Sequence, residues 1–210
     1  MARVNDDLRP LHRSALRTAG DVVGRVTAGD LDRPTPCGPW TLSDLLAHMV
    51  GQHLGFAAAV RDGDAPPAAY EPVPCTPASW RESTTELLAA FDAADPGAHV
   101  VAVELSPSPL PLGFVVGAQL LDTVVHTWDV AQALGARHEP AQDLVAAVAR
   151  VAAVVPDDER RDAPGAAFAR ALPGGGTPWE RTLAHLGRDP AREPYRAADG
   201  TATTAGSERT

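Results

Sequence analysis

Apolar residues recur at helical spacing from Leu8 through Leu11, Ala15, Ala19, Val22, Val23 and Val26, while Arg9, Arg13 and Arg17 sit four apart on another face. This pattern predicts an amphipathic helix over about 5–27. Three prolines and a glycine between Arg33 and Trp40 interrupt it. Thr41, with Asp44 three residues on, has the form of a capping box and opens a helix to about Arg61, which Asp62-Gly63-Asp64 ends. On a wheel, Leu42, Leu46, Met49, Phe56 and Val60 form its apolar stripe. His53 lies near the middle of that stripe, and His48 sits at its flank beside Leu45 and Gln52.

Beyond a Pro-rich loop, Trp80, Leu87, Leu88 and Phe91 predict a third helix over about 78–94. Val100, Val101 and Val103 suggest a short extended piece within 99–105. A long helix follows from about Leu112 to Leu134, with Gly135 at its C-terminal end. Another spans about 140–155, with Leu144, Val148, Val151 and Val155 on one face. Residues 156–176 are mixed, with an apolar patch at Phe168. Thr177-Pro178-Trp179-Glu180 then opens a last short helix that Gly187 closes. The fold class predicted is all-α: a four-helix bundle with additional short C-terminal helices over 1–189, and a mobile, almost apolar-free tail over 190–210.

The 210 residues carry 18 basic groups, all arginine, against 27 acidic ones. That balance speaks against nucleic acid or an anionic membrane as the partner and leaves a small-molecule substrate as the expected one. Without a run of about 18 apolar residues or a signal-like N-terminus, a cytoplasmic chain is expected, with Cys37 and Cys75 as reduced thiols. The apolar edges that bundles of this kind expose are compatible with a homodimer.

Seven histidines are present, and His126 is the informative one. Asp122 lies one helical turn before it, close enough for one divalent ion to be held between the two. Asp129, three residues after it, is placed to orient the imidazole or a bound water, or to act as a general base. A further ligand would have to come from the helix bearing His48 and His53, and spacing leaves both open. A thiol in a Pro-rich turn, Cys37, is expected to be a packing residue, as are Trp40 and Trp128 under the bundle rim. His185 is expected to meet terminal carbonyls of the last helix. His12, His99 and His138 are expected on the surface or in loops. There is no glycine-rich phosphate loop, Gly-x-Ser-x-Gly elbow or CxxC pair.

Three stretches resemble a known family. Thr35-Pro36-Cys37-Gly38-Pro39-Trp40-Thr41 with Asp44-Leu45-Leu46-Ala47-His48 is similar to the N-terminal signature of the DinB-like metal-binding superfamily. The nearest branch is the actinobacterial one related to mycothiol-dependent maleylpyruvate isomerase. Asp122 with His126-Thr127-Trp128-Asp129 resembles its second signature, and Leu186-Gly187-Arg188-Asp189-Pro190 resembles the close of an uncharacterised metal-binding subfamily. The resemblance implies a bundle with Zn²⁺, Ni²⁺ or another divalent metal at one end, held by His48, Asp122 and His126, and so prefers His48 to His53. Two histidines and one carboxylate would leave a coordination position free, as in catalytic zinc sites.

The implied function is thiol S-transferase or isomerase-like chemistry on a small electrophile. The isomerase carries an additional C-terminal domain for which residues after 189 leave no room, so a thiol such as mycothiol is expected as one option rather than a requirement. Two other readings are a tailoring enzyme of specialised metabolism, performing cyclisation, epoxide opening or hydrolysis in the bundle pocket, and a non-catalytic metal-binding protein.

Overall fold

A computed structural model describes residues 7–163, 165–192 and 195. Six α-helices dominate it: α1 (Arg9–Val23), α2 (Leu42–Asp62), α3 (Pro77–Ala93), α4 (Leu112–Ala133), α5 (Gln142–Ala152) and α6 (Pro178–His185). Helices α1 to α4 form the bundle. α1 packs on α4 and α3, and α2 packs on α3 and α4, while α5 covers the outer side of α4 and α6 covers α5. This is the helical bundle expected from the sequence, with two short C-terminal helices.

Local chemistry sets the helix ends. Asp44 N–H donates to the Thr41 hydroxyl at 3.2 Å, and the Asp44 carboxylate accepts Thr41 N–H at 3.0 Å. Two otherwise unpaired donors at the start of α2 are thereby satisfied. The same box, with Thr177 and Glu180, opens α6. Gly63 ends α2 at φ +87°. Gly135 follows α4 at φ +76°, with Ala136 N–H donating back to Ala131 O at 2.9 Å.

The expected helix over 5–27 is shorter, because the backbone leaves it at Gly24 and a capping box of Thr27 and Asp30 starts a separate 3₁₀ turn. Its expected start before residue 7 lies outside the described residues, as does most of the expected tail over 190–210. The helix expected over 140–155 closes at Ala152.

The predicted extended piece becomes the middle of a small sheet. β1 (Asp64–Ala65) pairs in parallel with β2 (His99–Ala102), and β2 pairs antiparallel with β3 (Leu110–Pro111). The registers Ala65↔Ala102 and Val100↔Leu110 tie the C-terminal end of α2 to the N-terminal end of α4. With one end fixed, the two long helices run antiparallel, and the first half of α2 faces the second half of α4.

Among the described residues, three apolar clusters form the core. One joins α4 to α5 and α6 through Leu120, Val124, Trp128, Leu144, Val148, Trp179 and Leu183. A second lies around Phe56, Tyr70, Leu87 and Phe91 beside the sheet. The third gathers Leu42, Leu45, Met49, Trp80 and Val130 at the opposite end of the bundle. Buried Arg161 fastens the C-terminal segment by donating to Pro156 O (2.7 Å), Ala169 O (3.0 Å) and His185 O (2.6 Å). No helix among the described residues is long and apolar enough to cross a membrane.

Candidate metal centre

α2 presents His48 toward α4, where Asp122 and His126 lie one turn apart on the same face. The Asp122 carboxylate oxygen Oδ1 stands 3.2 Å from His126 Nε2 and 3.7 Å from His48 Nε2. One donor atom from each residue lies within 4.8 Å of the other two. Ligand atoms bound tetrahedrally at zinc distances stand about 3.3 Å apart, so the spacing suits a single divalent ion. The His48 and His126 rings meet edge to face at 5.2 Å between centroids, and Trp40 lies against His48 at 4.8 Å. His48 and Asp122 are partly exposed and form the open side of the group, with His126 behind them.

His126 has a second set of neighbours on its other nitrogen. Its Nδ1–H donates to Asp129 Oδ2 at 2.9 Å. The same oxygen accepts the Cys37 thiol at 3.0 Å and Arg188 Nη2–H at 3.2 Å. Cys37 is delivered by the loop before α2, which closes on itself: Thr35 donates its hydroxyl to Trp40 O (2.9 Å) and accepts Cys37 N–H (3.1 Å), and the turn passes through Gly38 at φ +64°. Cys37, His126 and Asp129 also lie within metal-ligand distance of one another. The Arg188 guanidinium stands beside two of them, so the cation there is the arginine.

Burial pulls His126 down more than any single neighbour lifts it, but Asp122, Cys37 and Asp129 together outweigh burial and hold the imidazole well above its ordinary range. Burial would raise Asp122, and His126 followed by His48 drives it far below the usual carboxylate range. Asp129 is likewise pushed up by burial and pulled down more strongly by Arg188 and His126, to about 2. Burial first, and then the Asp129 charge, push the Cys37 thiol up, so it sits as an S–H donor.

The remaining candidates fall elsewhere. His53 is buried in the core, as its place on the apolar stripe implies. Its ring is edge-on to Trp80, and its Nδ1–H donates at 3.2 Å to Ser83 Oγ, whose own hydroxyl donates to Trp80 O. Trp128 is core, whereas Trp40 borders the site. Cys37 is more than a packing residue, and Arg188 joins the group although nothing in its local sequence indicates that contact. His12 is not on the surface. It is 0% exposed, and its Nε2–H donates to Gln119 Oε1, which also accepts the Thr123 hydroxyl. His185 reaches Val155 O, just beyond α5, at 3.0 Å rather than a carbonyl of its own helix. An open cleft of about 440 Å³ bordered by Thr18, Arg25 and His138 shares no residue with the donor group.

Comparison with known proteins agrees with this architecture. An uncharacterized protein of Mycobacterium tuberculosis, found in two strains, is 28% identical over 124 residues, covering 59% of this chain. The matched part makes up 65% of that relative's length. The crystal structure of the mycothiol-dependent maleylpyruvate isomerase superposes with a TM-score of 0.53 at 12% identity, over 73% of this chain and 70% of the isomerase. The match at that identity concerns the fold. The sequence profile of the mycothiol maleylpyruvate isomerase N-terminal domain matches residues 12–131, which include α2, all but the last two residues of α4, and His48, Asp122 and His126. By that match over more than half its length, the chain belongs to the mycothiol maleylpyruvate isomerase N-terminal domain family.

Proposed function

We propose that this protein is a divalent-metal-dependent enzyme that joins a low-molecular-weight thiol to a small electrophile, as a transferase or an isomerase. The observation that carries the reading is the convergence of His48, Asp122 and His126 from two helices, with two of the three partly open to solvent. His48 Nε2, Asp122 Oδ1 and His126 Nε2 would hold the ion, Zn²⁺ by donor chemistry and spacing. When bound there, such an ion supplies a Lewis acid on which a thiol or water loses its proton near neutral pH.

The chain's own groups do the rest. Asp122, shared between the two imidazoles, keeps both nitrogens turned to one point. Trp40 walls the site beside His48. Asp129 is fully buried on the far nitrogen of His126, which suits orienting that ring rather than taking a substrate proton. A thiolate at the open side would add to one carbon of a C=C bond conjugated to a carbonyl, the π bond breaking and its electron pair moving onto the carbonyl oxygen as an enolate. Return of the proton released by the thiol to the enolate carbon keeps the C–S bond and gives transfer; rotation about the former double bond, followed by collapse of the enolate with expulsion of the thiolate, gives isomerisation.

The test combines binding and turnover. Zn²⁺ is expected to bind one to one, and Asp122→Ala to weaken it at least tenfold by chelator competition. Mycothiol with maleylpyruvate is the first pair to assay, followed by other small electrophiles. His126→Ala should abolish turnover while the helical circular dichroism is kept. Unchanged zinc affinity in Asp122→Ala would remove the ligand set, and zinc binding without thiol-dependent turnover would leave a binding protein.

A further inference from the structure

Residues 12–131 carry the whole donor group, but one of its supports comes from beyond them. Arg188 is only 6% exposed and reaches Asp129 from a position 59 residues later in the chain. The end of α6 fixes its placement. Gly187 turns the backbone at φ +75°, Gly187 N–H donates to Ala184 O (3.0 Å), and Arg188 N–H donates to Leu183 O (2.9 Å). This is the paired closure of a Schellman end, in which only a residue without a Cβ sits easily at the turn. Phe168 lies under the guanidinium at 5.5 Å from CZ to ring centroid, and Nη1–H donates to Leu186 O at 3.0 Å. The arginine is thus held by a helix end, a ring and a carbonyl before it meets Asp129.

Asp129 is a fully buried carboxylate, and of the groups on its Oδ2 the Arg188 guanidinium is the one whose charge is permanent, so it anchors the carboxylate whatever the state of His126. Its Oδ2 takes three donors, from His126, Cys37 and Arg188, and its Oδ1 has no hydrogen-bond partner. The His126 ring plane is therefore set by a carboxylate whose own position Arg188 sets. We infer that Arg188 is a positioning residue for His126, acting through Asp129, so that the C-terminal helix completes a site whose donors all lie in the bundle. This rests on the metal reading only for its effect on affinity. The effect on the ring exists without metal.

Two measurements on the full chain test it. In Arg188→Met, the Zn²⁺ affinity read by chelator competition should fall about 10- to 100-fold, the usual consequence of removing an outer partner of a ligating histidine. In metal-free protein with ¹⁵N-labelled histidine, the His126 Nδ1–H resonance should lose its protection from solvent exchange. Arg188→Lys, which keeps the cation, should recover most of both effects, and Arg181→Met on the exposed side of α6 should change neither. A folded Arg188→Met with native zinc affinity and a native Nδ1–H signal would overturn the inference. If Arg188→Met does not fold, Phe168→Leu removes the ring beneath the guanidinium and is read the same way. A several-fold loss then supports the inference, and no change in either signal overturns it. Should the native protein bind no Zn²⁺, the metal reading fails and the resonance alone decides the role of Arg188.

Discussion

His12 shows what a single polar side chain does inside an apolar stripe. It follows Leu8 by four and precedes Leu16 by four, so α1 carries it straight into the bundle, where burial lowers its pKa to about 4. The unfolded chain takes up a proton there below about 6.5, whereas the folded chain resists until about 4. Stability from this residue is therefore complete above pH 6.5 and is lost progressively as the pH falls to 4. At 1.36 kcal/mol per pKa unit, the loss approaches about 3 kcal/mol. Urea midpoints of native protein and His12→Gln should diverge in pH dependence across that window, with the variant flatter; parallel curves would contradict the assignment. The spacing that buries His12 is visible in the sequence. The positions of Cys37 and Arg188 are not, because their partners lie 92 and 59 residues away and only the closed bundle brings them together. Asp122 and His126 stand out because they share a helical turn, whereas spacing leaves His48 and His53 equally open on α2 and only the family resemblance prefers His48.

Among the elements, α2 shows how a helix can be legible in outline yet surprising in detail. Its cap, its stop at Gly63 and its apolar stripe follow from the sequence, but the part played by Gly51 and Gly55 does not. The 3₁₀ turn Pro67–Tyr70 lies so close to the helix that a Cβ on Gly51 would collide with the carbonyls of Tyr70 and Glu71, and one on Gly55 with the Tyr70 ring. Gly55→Ala should destabilise the fold by about 1–3 kcal/mol through overpacking, read as a lower urea midpoint. A variant as stable as the native chain would mean that the Tyr70 segment is not seated on α2. The sheet was only partly legible for a related reason. Two-residue strands carry no periodicity, and β1 finds its partner only where the chain returns after α3, in the register Asp64↔Val101.

For the molecule as a whole, the family-matched stretch and the folding unit do not coincide. α4 is buried along nearly its entire length, and its outer side, with Leu120, Val124 and Trp128, is covered by residues of α5 and α6. A chain ending at residue 140 should therefore lose its cooperative thermal transition and bind a hydrophobic dye, although it retains every proposed ligand. A sharp, dye-free transition in that fragment would show that the bundle is self-sufficient.

The donors sit on different helices, His48 in the first half of α2 and the Asp122/His126 pair from the middle of α4 onward, away from the sheet that pins the other end of those helices. A cation gripped there would act as a rivet through two antiparallel rods already hinged at the far end. Sliding or splaying of α2 against α4 would then be limited to what the coordination bonds tolerate, and extracting the ion would loosen the mouth and the girders together.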